Sequence, residues 1–560
     1  MSRPTVIIWL ALGLAAGWAG PRGQAAAARA AGPAIELPPM MVEESVSSVP
    51  WLHANVGGAE FLSRCTVTTT RQFIEAWLAQ MQLVRALVPG EFLARTDVPE
   101  VLVLYSQGLE QTISADIQRE LQARDESGGE GRRGERVNIA PNMRLADRDM
   151  HASIVYIDEA QFNAAGLGIA PSHVRFLLKG RVPELPGWLV EGIERAWHRA
   201  DLALNPITLA PLLWHSERES DALASDPTHP RALLPASELF APEAVRAVEN
   251  RHPRRAAARR ATQELFFRWA IVTGGATREA LWKFAARAAE GPVTEEFFEA
   301  CFGFDFAELR DRLSDYLPKA VQETAWISPG ALPPLPRFEV KNATPGQIAR
   351  IRGEWERLAV GHVHRRLPQV REPYIAQARR TLRRAYDAGD RDPRLLATMG
   401  LCEIDAGNPA GAGSFLEPAV AAGVARPRAY HELALLRFAA LREGAPAEQR
   451  FSFTELAPVF QPLQRALGQA PPLPEVFALL AEAWALCTLP PSPAEWTELE
   501  RGARLYATRA EVAYPIALAL ARHGKKAEAA AVLDACAGAA TDKATETEIR
   551  ALRAELAAAQ

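Results

Sequence analysis

Apolar residues recur at helical spacing along most of this chain, broken in its first third by two short, mostly apolar runs. Between Thr70 and Val88, the residues Phe73, Trp77, Met81, Val84 and Leu87 fall about one turn apart. They predict a helix with one buried face. The run Val101-Leu102-Val103-Leu104-Tyr105 behind Pro99-Glu100, and the run Ala152 to Ile157, have the length and β-branched content of buried strands. Helical spacing then dominates to about Pro318. Between Tyr316 and Arg337 stand Pro318, Pro329, Pro333, Pro334 and Pro336, a composition that predicts a linker. Beyond it the pattern is almost wholly helical and rich in Ala, Leu, Arg and Glu.

That helical half repeats itself. Following Pro393 come Leu396, Met399, Gly400, Gly407, Ala412, Leu416 and Ala419. Pro427 stands 34 residues later, with Tyr430, Leu433 and Ala434 in matching places, and Pro474 opens a third unit with Phe477, Leu480, Ala481 and Trp484. The third offset is longer, which places an insertion in Arg442 to Phe453. A last unit gives Ile516, Ala517, Gly524, Ala529 and Leu533. Bulky residues, an apolar-Gly pair, a turn glycine and small residues where helices cross resemble the tetratricopeptide (TPR) pattern, and 34 residues is its period. The resemblance implies a solenoid whose concave face holds a protein or peptide. Glu403, Arg437 and Trp484 fall one turn beyond the packing positions and are the expected partner-binding residues.

With 560 residues, 48% of them hydrophobic and 23% charged, the chain is long enough for several globular domains. A formal net charge of −4 gives no reason to expect nucleic acid or an anionic membrane surface as partner. Five scattered cysteines without a C-x-x-C pair fit neither a disulfide scaffold nor a zinc ribbon. Arg3, the apolar run Val6 to Ala19 and the small-residue tract Gln24 to Ala30 read as a cleaved secretory signal. The expectation is an exported protein, periplasmic or extracellular, with no membrane span in the mature chain. Residues 32–50 are Pro-rich and acidic and read as an extended leader. Asp125 to Arg136 reads as a disordered loop.

The segment Leu185-Pro186-Gly187-Trp188-Leu189-Val190-Glu191-Gly192 resembles the P-x-W-L-x-E-G segment of gluzincin zinc metallopeptidases of the peptidase-MA-like group. The likeness extends over roughly Trp51 to Leu317. It includes Leu233 to Phe240, Thr262 to Trp269, Thr294 to Phe298, Phe302 to Asp305 and Leu309 to Tyr316. It implies that Glu191 stands where that family has its third zinc ligand, with an H-E-x-x-H helix just upstream. A catalytic zinc there needs two histidines one turn apart and a glutamate to take the proton of the bound water.

The upstream helix instead reads Pro171-Ser172-His173-Val174-Arg175-Phe176-Leu177-Leu178. With His173 as first ligand, Val174 stands for the base and Leu177 for the second histidine. With His173 as second, Ile169 and Ala170 fill the other places. The register that keeps the distance to Trp188 puts Pro171, Ser172 and Arg175 in place of His, Glu and His. No register leaves a base. Arg175 is a candidate ion-pair partner for Glu191, and His151 or His198 would be the donors of a non-standard zinc peptidase. His431-Glu432-Leu433-Ala434-Leu435 starts like the motif but lacks its second histidine.

The expected molecule is therefore mainly α. Residues 1–31 are a signal peptide and 32–50 a leader. An α+β gluzincin-like domain with a degenerate motif covers 51–318, a Pro-rich linker 319–340 and an all-α TPR-like solenoid 341–560. No catalytic residue, metal site or cofactor is expected, with His173, Arg175 and Glu191 as remnant positions. The expected role is protein binding or scaffolding, and the alternative is a zinc-dependent metallopeptidase with an unusual ligand set.

Overall fold

The computed structural model describes residues 49–560 except 107–137, 140–142, 165–167, 170, 202–206, 215–232, 242–252, 292, 329, 331, 365–370, 447–448, 537–542 and 559–560. The signal and leader, residues 1–31 and 32–50, lie outside these apart from the leader's last two residues. So does the Asp125–Arg136 loop.

Strands β1 (Leu52–Val56) and β2 (Ala59–Ser63) form a hairpin, and α1 (Val67–Leu87) follows. Thr66 caps α1 by accepting from the Thr69 amide at 3.2 Å. The face read from the sequence is the buried one, with Phe73, Trp77, Met81, Val84 and Leu87 all inside. Next come β3 (Glu100–Ser106), β4 (Asn138–Ile139), β5 (Met143–Ala146), β6 (His151–Ile157) and β7 (Gly168–Ile169). The main sheet has six strands in the order β11-β1-β2-β3-β6-β5, where β11 is Lys341–Asn342. Pairs β2–β3 and β3–β6 are parallel, and β5 runs antiparallel at the edge.

Both faces of this sheet are covered, which is why its central strands are mostly apolar. Phe61, Leu102, Leu104, Val155 and Ile157 face a core shared with α1 and the helices after it. Their alternates Leu62, Val101, Val103, Tyr105 and Ile154 face a second core, which also contains Ile351, Leu358 and Ala359.

Helices α2 (Pro171–Lys179) and α3 (Gly187–His198) carry the segment singled out in the sequence. Strands β8 (Ala200–Asp201) and β9 (Ile207–Leu209) join β10 (Ala325–Ile327) in a small sheet. Between β9 and β10 lie α4 (Ala236–Leu239), α5 (Pro253–Thr273), α6 (Gly275–Ala288), α7 (Glu295–Phe302) and α8 (Phe306–Gln322). Gly192 lets α3 lie close against α5: a Cβ there would stand 2.7 Å from the Gln263 carbonyl oxygen. Trp188 is buried beneath it among Phe240, Phe266 and Phe284.

Helix α8 runs through Pro318 to Gln322, held by buried Leu317, Ala320 and Val321. The boundary expected at 318 thus falls within a helix, and β10 forms inside the stretch 319–340 expected to be linker.

The remaining chain is all helical: α9 (Pro345–His364), α10 (Arg371–Asp387), α11 (Pro393–Asp405), α12 (Pro409–Ala421), α13 (Pro427–Arg442), α14 (Phe453–Leu467), α15 (Pro474–Ala485), α16 (Pro493–Leu505), α17 (Ala510–Arg522), α18 (Lys526–Ala535) and α19 (Lys543–Ala558). Successive helices pack in pairs from α9 to α14, after which α15 packs chiefly on α17 rather than on α16. Gly400 makes one close crossing possible, since a Cβ there would meet Leu416 at 2.6 Å. Among the described residues no helix is long and apolar enough to cross a membrane.

Candidate functional site

The remnant positions separate into two environments, because His173 and Arg175 sit two residues apart on α2 and point to different sides. Arg175 turns toward α3. Its Nη1 donates to Glu194 Oε2 at 2.6 Å, and its Nη2 lies 3.9 Å from Glu191 Oε2. A half-exposed guanidinium thus stands beside the carboxylate that the resemblance makes a metal ligand. Burial raises the Glu194 carboxyl above its usual range, with the Arg175 charge opposing that shift. Among the described residues no three His, Cys, Asp or Glu side chains are grouped so as to hold a metal ion.

His173 turns toward the sheet and is 3% exposed. Its Nδ1 lies 2.6 Å from Arg144 Nη2 on β5 and 3.6 Å from Glu100 Oε1 at the start of β3. A guanidinium can only donate, so Nδ1 accepts and the ring proton sits on Nε2. His151, at the start of β6, is also buried and packs edge-on against Phe176. Burial, reinforced by the Arg144 charge, holds His173 well below its ordinary pKa and brings His151 down to about 3. Burial also pushes the Glu100 carboxyl up to about 7, against the pull of Arg144. The cluster therefore holds one cation, two neutral imidazoles and a carboxyl close to half-protonated at neutral pH.

The sequence reading missed a third group, where the β5–β6 turn meets the helical array. Asp147 sits among Arg357, Arg426 and Arg428, with Arg428 Nη1 2.8 Å from both of its oxygens and Arg426 Nη2 at 3.1 Å. Asp149 accepts from the Arg428 amide at 2.8 Å and lies 3.2 Å from Arg426 Nε. Glu354 takes Arg426 at 3.0 Å and the Thr398 hydroxyl at 2.6 Å. Asp405 reaches Arg357 at 2.5 Å and also Arg428. Arg148 binds Glu432, the acid of the His431-Glu432 pair, so that pair belongs to this junction. The three arginines hold Asp147 well below the usual carboxylate range despite its burial. For Asp149 burial wins and the carboxyl is raised. A second bridge joins Glu60 of β2 to Arg350 of α9, with His53 at 2.9 Å, and Glu60 is lowered to about 2 although burial works against it.

The expected partner-binding residues behave differently from one another. Glu403 is half-buried and bound to Arg379 at 3.0 Å and to Asn408 at 2.8 Å. Arg437 is half-exposed, 3.3 Å from Glu417 and 2.9 Å from the Pro458 carbonyl oxygen. Trp484 is 2% exposed and stacks on Phe460 at 4.4 Å between ring centres. Its indole fills the core of the array and presents no surface to a partner, which corrects the expectation for that residue.

No family model matches this chain, and no curated sequence aligns with it significantly.

Proposed function

We propose that this chain is an exported, catalytically inactive metallopeptidase-like protein whose TPR-like half binds a protein or peptide. The observation that carries the reading is the pairing of Arg175 with Glu194 and Glu191. A fixed positive charge beside Glu191 opposes a divalent cation at the same place, and the sequence supplies neither an H-E-x-x-H helix nor a general base. What remains is a packed α/β body joined to a helical array with charged positions such as the half-exposed Arg437 and the more buried Glu403.

Elemental analysis of the purified protein tests the first half of this reading. The expected result is no stoichiometric zinc, no thermal stabilisation by added zinc and no hydrolysis of generic peptides. One tightly bound zinc per chain with chelator-sensitive proteolysis overturns it. A pull-down with the Glu403→Lys/Arg437→Glu variant tests the second half: its partners should be fewer than those of wild type, and an identical set removes these residues from the binding face.

A further inference from the structure

A cavity of about 250 Å³ lies between the body and the array, away from the Arg175–Glu191 pair. Val98, Met150, Phe176 and Leu473 supply apolar wall. Arg95, Lys179 and Arg509 also line it, and all three residues are exposed, which places them at its mouth. Within the described residues Arg95 and Lys179 enter no ion pair, and Arg509 only a loose one with Glu511 at 3.8 Å. The negative groups of the lining are already engaged. Asp147 is ringed by arginines, Asp149 is bound by Arg426, and Glu475 lies 3.5 Å from Arg148. Glu100 and His151 also line it. Burial holds His151 neutral near neutral pH and raises the Glu100 carboxyl to about 7, so that Glu100 carries only part of a negative charge there.

We propose that this cavity binds a small amphipathic carboxylate, with its alkyl or aryl tail against Val98, Met150 and Phe176 and its charged end at Arg95 and Lys179. An apolar wall with a few convergent charges of one sign is the usual construction of a small-molecule site. Arg95, which enters no ion pair among the described residues, and Lys179, which only feels the Glu194 charge from a distance, favour an anion over an amine or a neutral molecule. The volume suits a tail of six to ten carbons, on the order of the smallest ligand pockets. A neighbouring cavity of about 400 Å³ shares Arg95, Gly180, Val182 and Pro472 with this one, so the site has a way in from solvent on that side. The site stands independently of whether the array binds a protein.

The test uses the full chain with methionine methyl groups labelled and titrated by octanoate, octanol and octylammonium below their aggregation concentrations. Octanoate should shift the Met150 methyl signal saturably, with one equivalent bound per chain by calorimetry. Octanol should bind at least about tenfold more weakly, and octylammonium should leave Met150 unmoved. The exposed double reversal Arg95→Glu/Lys179→Glu, which leaves the core intact, should weaken octanoate about tenfold or more, equal to about 1.4 kcal/mol. Three results overturn the proposal: an unmoved Met150 signal, equal binding of octylammonium, or unchanged octanoate affinity in the double reversal.

Discussion

Arg428 Nη1 lies 2.8 Å from both carboxylate oxygens of Asp147, although 281 positions of chain separate the two residues. The bond joins the turn between β5 and β6 to the first turn of α13, and Arg357 and Arg426 converge on the same carboxylate. Removing one member of a buried ionic group leaves the others charged and desolvated. Asp147→Ala should therefore lower unfolding free energy by about 3–5 kcal/mol in denaturant titration. A loss below about 1 kcal/mol, the range of exposed pairs, would mean that water enters this junction freely.

The Pro-rich stretch after β10 is mostly exposed, so a protease should cut it. The fragments should nevertheless stay together. Lys341–Asn342 pairs with β1, Ile351 and Leu358 fill the second face of the sheet, and Arg350 holds Glu60. Size-exclusion chromatography of nicked protein should give one peak containing both fragments. Separation without denaturant would restore the picture of two independent halves.

Glu100 makes stability depend on pH in a stated direction. Its carboxyl titrates near 7 when folded, against an ordinary 4.5. Between those values the native state holds a proton that the unfolded chain has lost, so stability falls as pH rises. Glu100→Gln removes this dependence. The variant should gain on wild type from pH 4.5 to 7 by up to about 3 kcal/mol, with no further gain above that. His151 acts in the opposite sense: with its folded pKa near 3 it costs stability as pH falls below 6.5, in wild type and variant alike. A constant difference between the two proteins across this range would place Glu100 in contact with solvent.

Trp484→Ala should destabilise the array by about 3–5 kcal/mol, as truncation of a fully packed aromatic does. Arg437→Ala, at a half-exposed pair, should change stability by less than about 1 kcal/mol. Thermal melts of the two variants decide this, and equal shifts would contradict the burial of Trp484.

What the sequence made legible was local. The α1 face, the strands behind Pro99 and after Met150, and helices starting at Pro393, Pro427 and Pro474 follow from spacing and from prolines that suit a first helical turn. The pairing of Arg175 with the α3 carboxylates was also within reach, because α2 and α3 are neighbours in sequence. The destinations of His173 and Trp484 were not. His173 finds Arg144 and Glu100 on other elements, and nothing in an eight-residue motif says which way it faces. Trp484 lies one turn from its repeat's packing residues, but Phe453 and Phe460 on α14 enclose it from the other side. One readable signal was passed over: Asp147-Arg148-Asp149 between strands and Arg426-Pro427-Arg428 at a helix start are complementary in charge.

The sheet's outermost strand β11 and the partner of Glu60 both come late in the chain, Arg350 following Glu60 by 290 positions. At roughly 5–20 residues per second of synthesis, the first hairpin waits on the order of a quarter-minute to a minute for the pieces that close its edge and neutralise its buried carboxylate. Until then β1 presents an unpaired edge, the kind of surface on which chains aggregate. A sheet arranged this way completes itself only when well over half of the polypeptide has been made, and whatever accompanies the growing chain must keep that edge covered until residue 342 arrives.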